Sequence, residues 1–158
     1  MKVPQTLMRD GIAALIPHSG TMCLLARLAA WDLQRIVCVA TNHRDAANPL
    51  RSRSGLLATA AIEYAAQAMA LHGALIGQAA GTPATPGYLA SARGVQLHAL
   101  RLDDLPFQAD EDGPDELHIE AVRQAGDDRQ ILYAFTVSHA GRPVAEGRAA
   151  VVLNTAIT

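Results

Sequence analysis

Aromatic side chains are scarce, 4% of 158 residues, so the core of this half-hydrophobic chain has to be built from Ala, Leu, Val and Ile. Charge excess is lacking too. Thirteen Lys and Arg against fifteen Asp and Glu leave a net charge of -2, which gives no electrostatic case for binding nucleic acid. Only two cysteines occur, Cys23 and Cys38, without CxxC spacing or neighbouring histidines. A disulfide framework or zinc site is therefore not expected, and both read as buried reduced thiols. Nor does a continuous apolar run follow Lys2 in MKVPQTLMRDGIAALIPH, so no signal peptide is read there and the expected location is the cytoplasm.

The most telling absence lies in the middle of the chain. From Gly55 to Gln78 there is no Asp, Lys or Arg, and Glu63 is the only formally charged side chain. The run Leu56 to Ile76 is about long enough to span a bilayer, which needs about 20 residues. It is dominated by alanine, however, and carries Glu63, Gln67 and His72. A charged group at the bilayer centre costs about 2.5 to 3.5 kcal/mol on insertion scales, with little here to offset it. The expectation is a buried helix of a globular protein and no membrane span.

Around that helix the chain reads mostly as strand. A short amphipathic segment, Met8 to Leu15, precedes two strands, Leu24 to Trp31 and Arg35 to Asn42, expected to form a hairpin. The polar loop HRDAANPLRSRS then ends in Ser54, a candidate N-cap for the helix. After the breaker cluster GQAAGTPATPG come four more strands, Tyr88 to Leu100, Glu116 to Gln124, Gln130 to His139 and Val144 to Leu153. Turn residues in EDGPD, AGDD and AGRP separate the later ones. Two strands, an apolar helix and four strands imply a single α+β domain over residues 1–158. In it an antiparallel sheet of five to six strands wraps around one long central helix. The helix alanines let the sheet approach closely.

This order, with the helix stretch IEYAAQAMA (62–70), resembles the hotdog-fold 3-hydroxyacyl-acyl carrier protein dehydratases, in which a catalytic Glu is followed four residues later by Gln. PHSGTMCLLARL (17–28) is similar to the Pro-His segment that leads into their first strand and lines the acyl tunnel. The pair of motifs looks most like the divergent branch found in aryl polyene pathways. One departure stands out: those enzymes ordinarily carry Gly-His-Phe-Pro just before the helix, whereas no His lies between Asn48 and Glu63 here. Either His18 supplies the imidazole, or the chain is an impaired or non-catalytic subunit.

The resemblance implies removal of water from a 3-hydroxyacyl thioester, linked to an acyl carrier protein or to coenzyme A. That reaction needs a base for the α proton, an acid for the leaving hydroxyl and donors for the enolate oxygen. Glu63 and His18 are the expected catalytic pair, and a carboxyl in an apolar tunnel has its pKa raised by desolvation. Backbone N–H groups around Ala58 and Thr59, at the helix start, are the candidate enolate donors. Gln67 lies one turn from Glu63 and could orient it, and Pro17 would line the tunnel. No cofactor or metal is implied. Glu63 could instead be half of a structural ion pair, and a thioesterase or a partner subunit stays open. His43, His72, His98, His118 and His139 share no ligand spacing and read as ordinary surface or strand residues. Arg51 and Arg53 flank the helix entrance, where they could meet a carrier protein or simply be solvated. A homodimer joined edge to edge, or a heterodimer with another hotdog subunit, is the expected assembly.

Overall fold

The structure, a computed structural model, describes residues 5–16, 20–81, 87–127 and 129–153. Seven strands form one sheet: β1 (Leu7–Met8), β2 (Arg27–Trp31), β3 (Arg35–Ala40), β4 (Gly87–Leu97), β5 (Leu117–Gly126), β6 (Gln130–His139) and β7 (Arg142–Leu153). Among the described residues three α-helices accompany them: α1 (Arg9–Ala13), the long α2 (Ala61–Ala79) and the single turn α3 (Ala109–Asp112). Every neighbouring pair is antiparallel, in the order β1-β2-β3-β5-β6-β7-β4.

The expected layout of α2 inside a curled sheet holds. On β6, Ile131, Tyr133, Phe135, Val137 and His139 turn inward, alternating with more exposed neighbours, as the two-residue period of a strand requires. They meet α2, on which Ala61, Tyr64, Ala65, Ala68, Leu71 and Leu75 are fully buried. No residue of the helix from Ala61 to Gly77 is fully exposed, so a charged residue within it has to be accounted for by its neighbours. No described helix is long and apolar enough to cross a membrane.

Three local expectations need correction. Ser54 does not cap α2, which begins instead through a 3-10 turn, Ala58–Ala60, with no side-chain cap. Backbone pairing does that work: Ala58 N–H donates to the Leu100 carbonyl (3.0 Å) and Leu102 N–H to the Leu56 carbonyl (2.8 Å). Gly55, at φ +92°, makes the turn that feeds this pairing, and a Cβ there would lie 2.6 Å from Asp103 Oδ2. Secondly, the sheet gains the two-residue β1, too short to leave a periodic trace in the sequence. Thirdly, the strand expected over Tyr88 to Leu100 stops at Leu97: β4 is an edge strand bent by two register shifts, the second around Gly94 at φ +58°, and Tyr88, Leu89 and Leu97 on it are exposed.

Candidate active site

Glu63 stands in the first turn of α2, half-buried. Gln67, one turn on and completely buried, ties that turn to the segment before β2. Its Oε1 accepts from Leu24 N–H (2.8 Å), and its Nε2 donates to the Met22 carbonyl (2.8 Å) and, at 3.4 Å, to Glu63 Oε1. A buried amide with both ends engaged holds a fixed orientation, because rotating it would put donor against donor. Glu63 is therefore steadied from its own helix, and the segment against which Gln67 is fastened is the one that follows Pro17 and His18. Those two residues lie outside the described residues.

Tyr64 anchors the same turn on the other side. Its hydroxyl donates to Asn42 Oδ1 (2.6 Å) and accepts from Asn48 Nδ2 (3.0 Å), and burial pushes its pKa up to about 12. Of the two expected enolate donors, Ala58 already spends its N–H on Leu100, while Thr59 is exposed at the helix start. Arg51 pairs with Asp103 (3.3 Å), so of the two arginines at the entrance Arg53 is the one left exposed without an ion pair among the described residues. Cys23 and Cys38 are buried and free, as expected, with the Cys38 thiol pushed up to about 12 by burial.

The reading of five histidines as ordinary is overturned for three. His72 is fully buried between the Tyr133 hydroxyl at Nδ1 and the Asp32 carbonyl at Nε2, each 2.7 Å away. Because a carbonyl only accepts, Nε2 carries the proton and Nδ1 accepts from Tyr133. His43 and His139, also buried, both reach Asp115 Oδ1. Position 43 follows β3, position 115 precedes β5 and position 139 ends β6, with no motif spacing among them, so only the fold brings them together. His98 and His118 are exposed, as expected.

A cavity of about 890 Å³ opens among β4, β6 and β7, with Ser91, Gln96, Gln130, Thr136 and Arg148 in its lining, and neither Glu63 nor Gln67 belongs to it.

Comparison with known proteins places the chain. The family described as ApeP-like, ApeP dehydratase, matches residues 11–157. No curated protein matches the sequence. Among solved structures, the dehydratase heterocomplex ApeI:P from Xenorhabdus doucetiae is similar, with a TM-score of 0.78, 20% identity, and coverage of 94% of this chain and 92% of that one. A variant of the HP0420-homologue of Helicobacter felis gives 0.60 at 12% identity, covering 95% and 89%. A hypothetical thioesterase with coenzyme A from Streptococcus pneumoniae TIGR4 gives 0.54 at 10%, covering 83% and 87%. At such identities these likenesses are of fold, the hotdog fold.

Proposed function

The chain belongs to the ApeP-like dehydratase family, and from that premise we propose that it acts on 3-hydroxyacyl thioesters, carried by an acyl carrier protein or coenzyme A, in fatty acid or polyene-type biosynthesis in the cytoplasm. Glu63 and His18 exchange the protons. One takes the proton from the α carbon and the other protonates the β hydroxyl, which leaves as water, so the electron pair of the broken C–H bond becomes the new double bond. Thr59 offers its N–H to the enolate oxygen at the positive end of α2, the N–H groups of Ala58 and Ala60 being engaged by the Leu100 and Leu57 carbonyls. Pro17 lines the acyl path, and Gln67 acts through Glu63 by holding its carboxyl. Proton transfer of this kind needs no cofactor.

The observation that carries the reading is the Gln67 clasp. By fastening α2 to Met22 and Leu24, it sets the stretch after His18 against the turn that bears Glu63, which supports placing both groups on one substrate. A second reading, a partner subunit of another hotdog dehydratase, is favoured by one observation: no imidazole lies between Asn48 and Glu63 in the sequence. Complexes of two hotdog chains have a precedent in the ApeI:P heterocomplex.

One assay separates the readings. The purified chain is given a 3-hydroxyacyl thioester and, separately, the enoyl thioester. Their interconversion supports the dehydratase, release of free acid identifies a thioesterase, and silence from the pure chain leaves the partner-subunit reading.

A further inference from the structure

Near the ends of β3, β5 and β6 the sheet gathers three metal-ligating side chains that the proposed dehydration does not use. Ala40, Leu117 and His139 are register partners across these strands. His43 lies three residues past the end of β3 and Asp115 two residues before the start of β5, so both stand in the loops next to that row, while His139 closes β6 itself. His43 Nε2 is 2.8 Å and His139 Nε2 2.7 Å from the same oxygen, Asp115 Oδ1. The histidines are only 1% and 3% exposed, whereas Asp115 is 27% exposed, so the cluster has dry walls and one open side. Phe107 packs against the His139 ring at 6.0 Å between centroids.

We propose that His43 Nε2, His139 Nε2 and Asp115 Oδ1 form a binding site for a divalent transition ion of the zinc type, with water in the fourth position. Two imidazoles and one carboxylate are a donor set that zinc accepts, and one open position fits a tetrahedral ion. Bond lengths of about 2.0 to 2.2 Å put tetrahedral ligand atoms about 3.3 to 3.5 Å apart, and the three ligand atoms here already lie within 4.8 Å of one another, so rotations of these side chains would admit the ion. A structural clasp would need only one imidazole on Asp115. Moreover, His43 Nδ1 has no partner among the described residues, so its ring is held by what Nε2 does alone.

Arg44 tunes the site in both directions. Its Nε bonds Asp115 Oδ2 at 2.5 Å, and its guanidinium also holds the Asp103 and Leu105 carbonyls, which fixes the carboxylate with Oδ1 turned to the histidines. This is the kind of support a ligating carboxylate receives from its surroundings. Its positive charge also opposes a dication, so Arg44 weakens the site's hold on the ion.

The test uses the full chain, stripped with a chelator and checked for secondary structure by circular dichroism. Zinc chloride titrated against a chromophoric chelator should fill one site and raise the melting temperature. His139→Gln should weaken that binding about tenfold or more, the scale on which even outer partners of a metal matter. Cobalt(II) added to the unaltered chain reads the same site without any variant, and the intense visible absorption of a four-coordinate ion is expected. A cobalt spectrum no stronger than that of the hydrated ion, or zinc affinity unchanged in His139→Gln, overturns the proposal.

Discussion

Gln67 shows how a single side chain can serve both fold and chemistry. Replacing it by leucine strands the Leu24 N–H and the Met22 carbonyl, and an unsatisfied buried polar group costs about 1 to 3 kcal/mol. Gln67→Leu should therefore lower stability by that amount or more in chemical denaturation, and lower turnover as well, because Glu63 loses its support. If denaturation midpoints of variant and parent coincide, the clasp is not what holds α2 to this segment. The Glu-x-x-x-Gln pair was legible in the sequence because residues four apart in a helix share a face. The convergence of His43, Asp115 and His139 was not, because it depends on the register of three strands. The same holds for the helix start: Ser54 had the chemistry of a cap, but the pairing of residues 56–58 with 100–102 comes from chain segments far apart and leaves no local signal.

At the scale of elements, α2 and the sheet are matched by small side chains. Ala65 and Ala68 are fully buried, so Ala68→Leu should overpack the interior and cost about 1 to 3 kcal/mol, readable as a lower melting temperature. His72 adds a pH dependence. Burial lowers its pKa, outweighing the Asp32 carbonyl bond that favours the charged ring; Arg123 also disfavours the charge and the Asp32 carboxylate favours it, while Tyr133 supplies the neutral hydroxyl at Nδ1. The unfolded chain takes up a proton near pH 6.5, whereas the folded one resists until lower pH. The stability contributed is thus whole above about 6.5 and declines as pH falls below it. Denaturation between pH 7.5 and 5 should show this decline, and His72→Asn should flatten part of it; equal slopes would mean that His72 titrates alike in both states. Strand positions were legible because alternation survives in β6, read correctly from Gln130 to His139, and nearly so in β5 and β7. The two-residue β1 offered no period to read.

As a whole molecule the protein leaves one long edge open. Among the described residues the sheet order ends in β4, which pairs there only with β7, and the exposed Tyr88 and Leu89 lie on it. An edge of eleven residues invites another strand, so pairing with a second hotdog chain, a copy or a different one, is expected to complete the substrate tunnel. Light scattering on the purified chain at micromolar concentration should give the mass of two chains. A mass of one chain would rule out the homodimer and leave the assembly to a different partner. The sequence offered a wrapped sheet, and hence an edge, but not which surface of β4 would be bare, since that follows from its bulges.

The most direct measurement is turnover and melting on one preparation of Glu63→Gln, together with any partner chain that activity proves to require. The substitution keeps shape and hydrogen-bonding capacity while removing the ionisable proton. If Glu63 is the acid or base, turnover of the 3-hydroxyacyl thioester should fall about a hundredfold or more. The melting temperature should stay level or rise, because a carboxyl held in an apolar site for function does not stabilise the fold. A structural ion pair gives the reverse, since stranding a buried partner charge costs about 3 to 5 kcal/mol. A lowered melting temperature with unaltered turnover would contradict the assignment of Glu63 to catalysis.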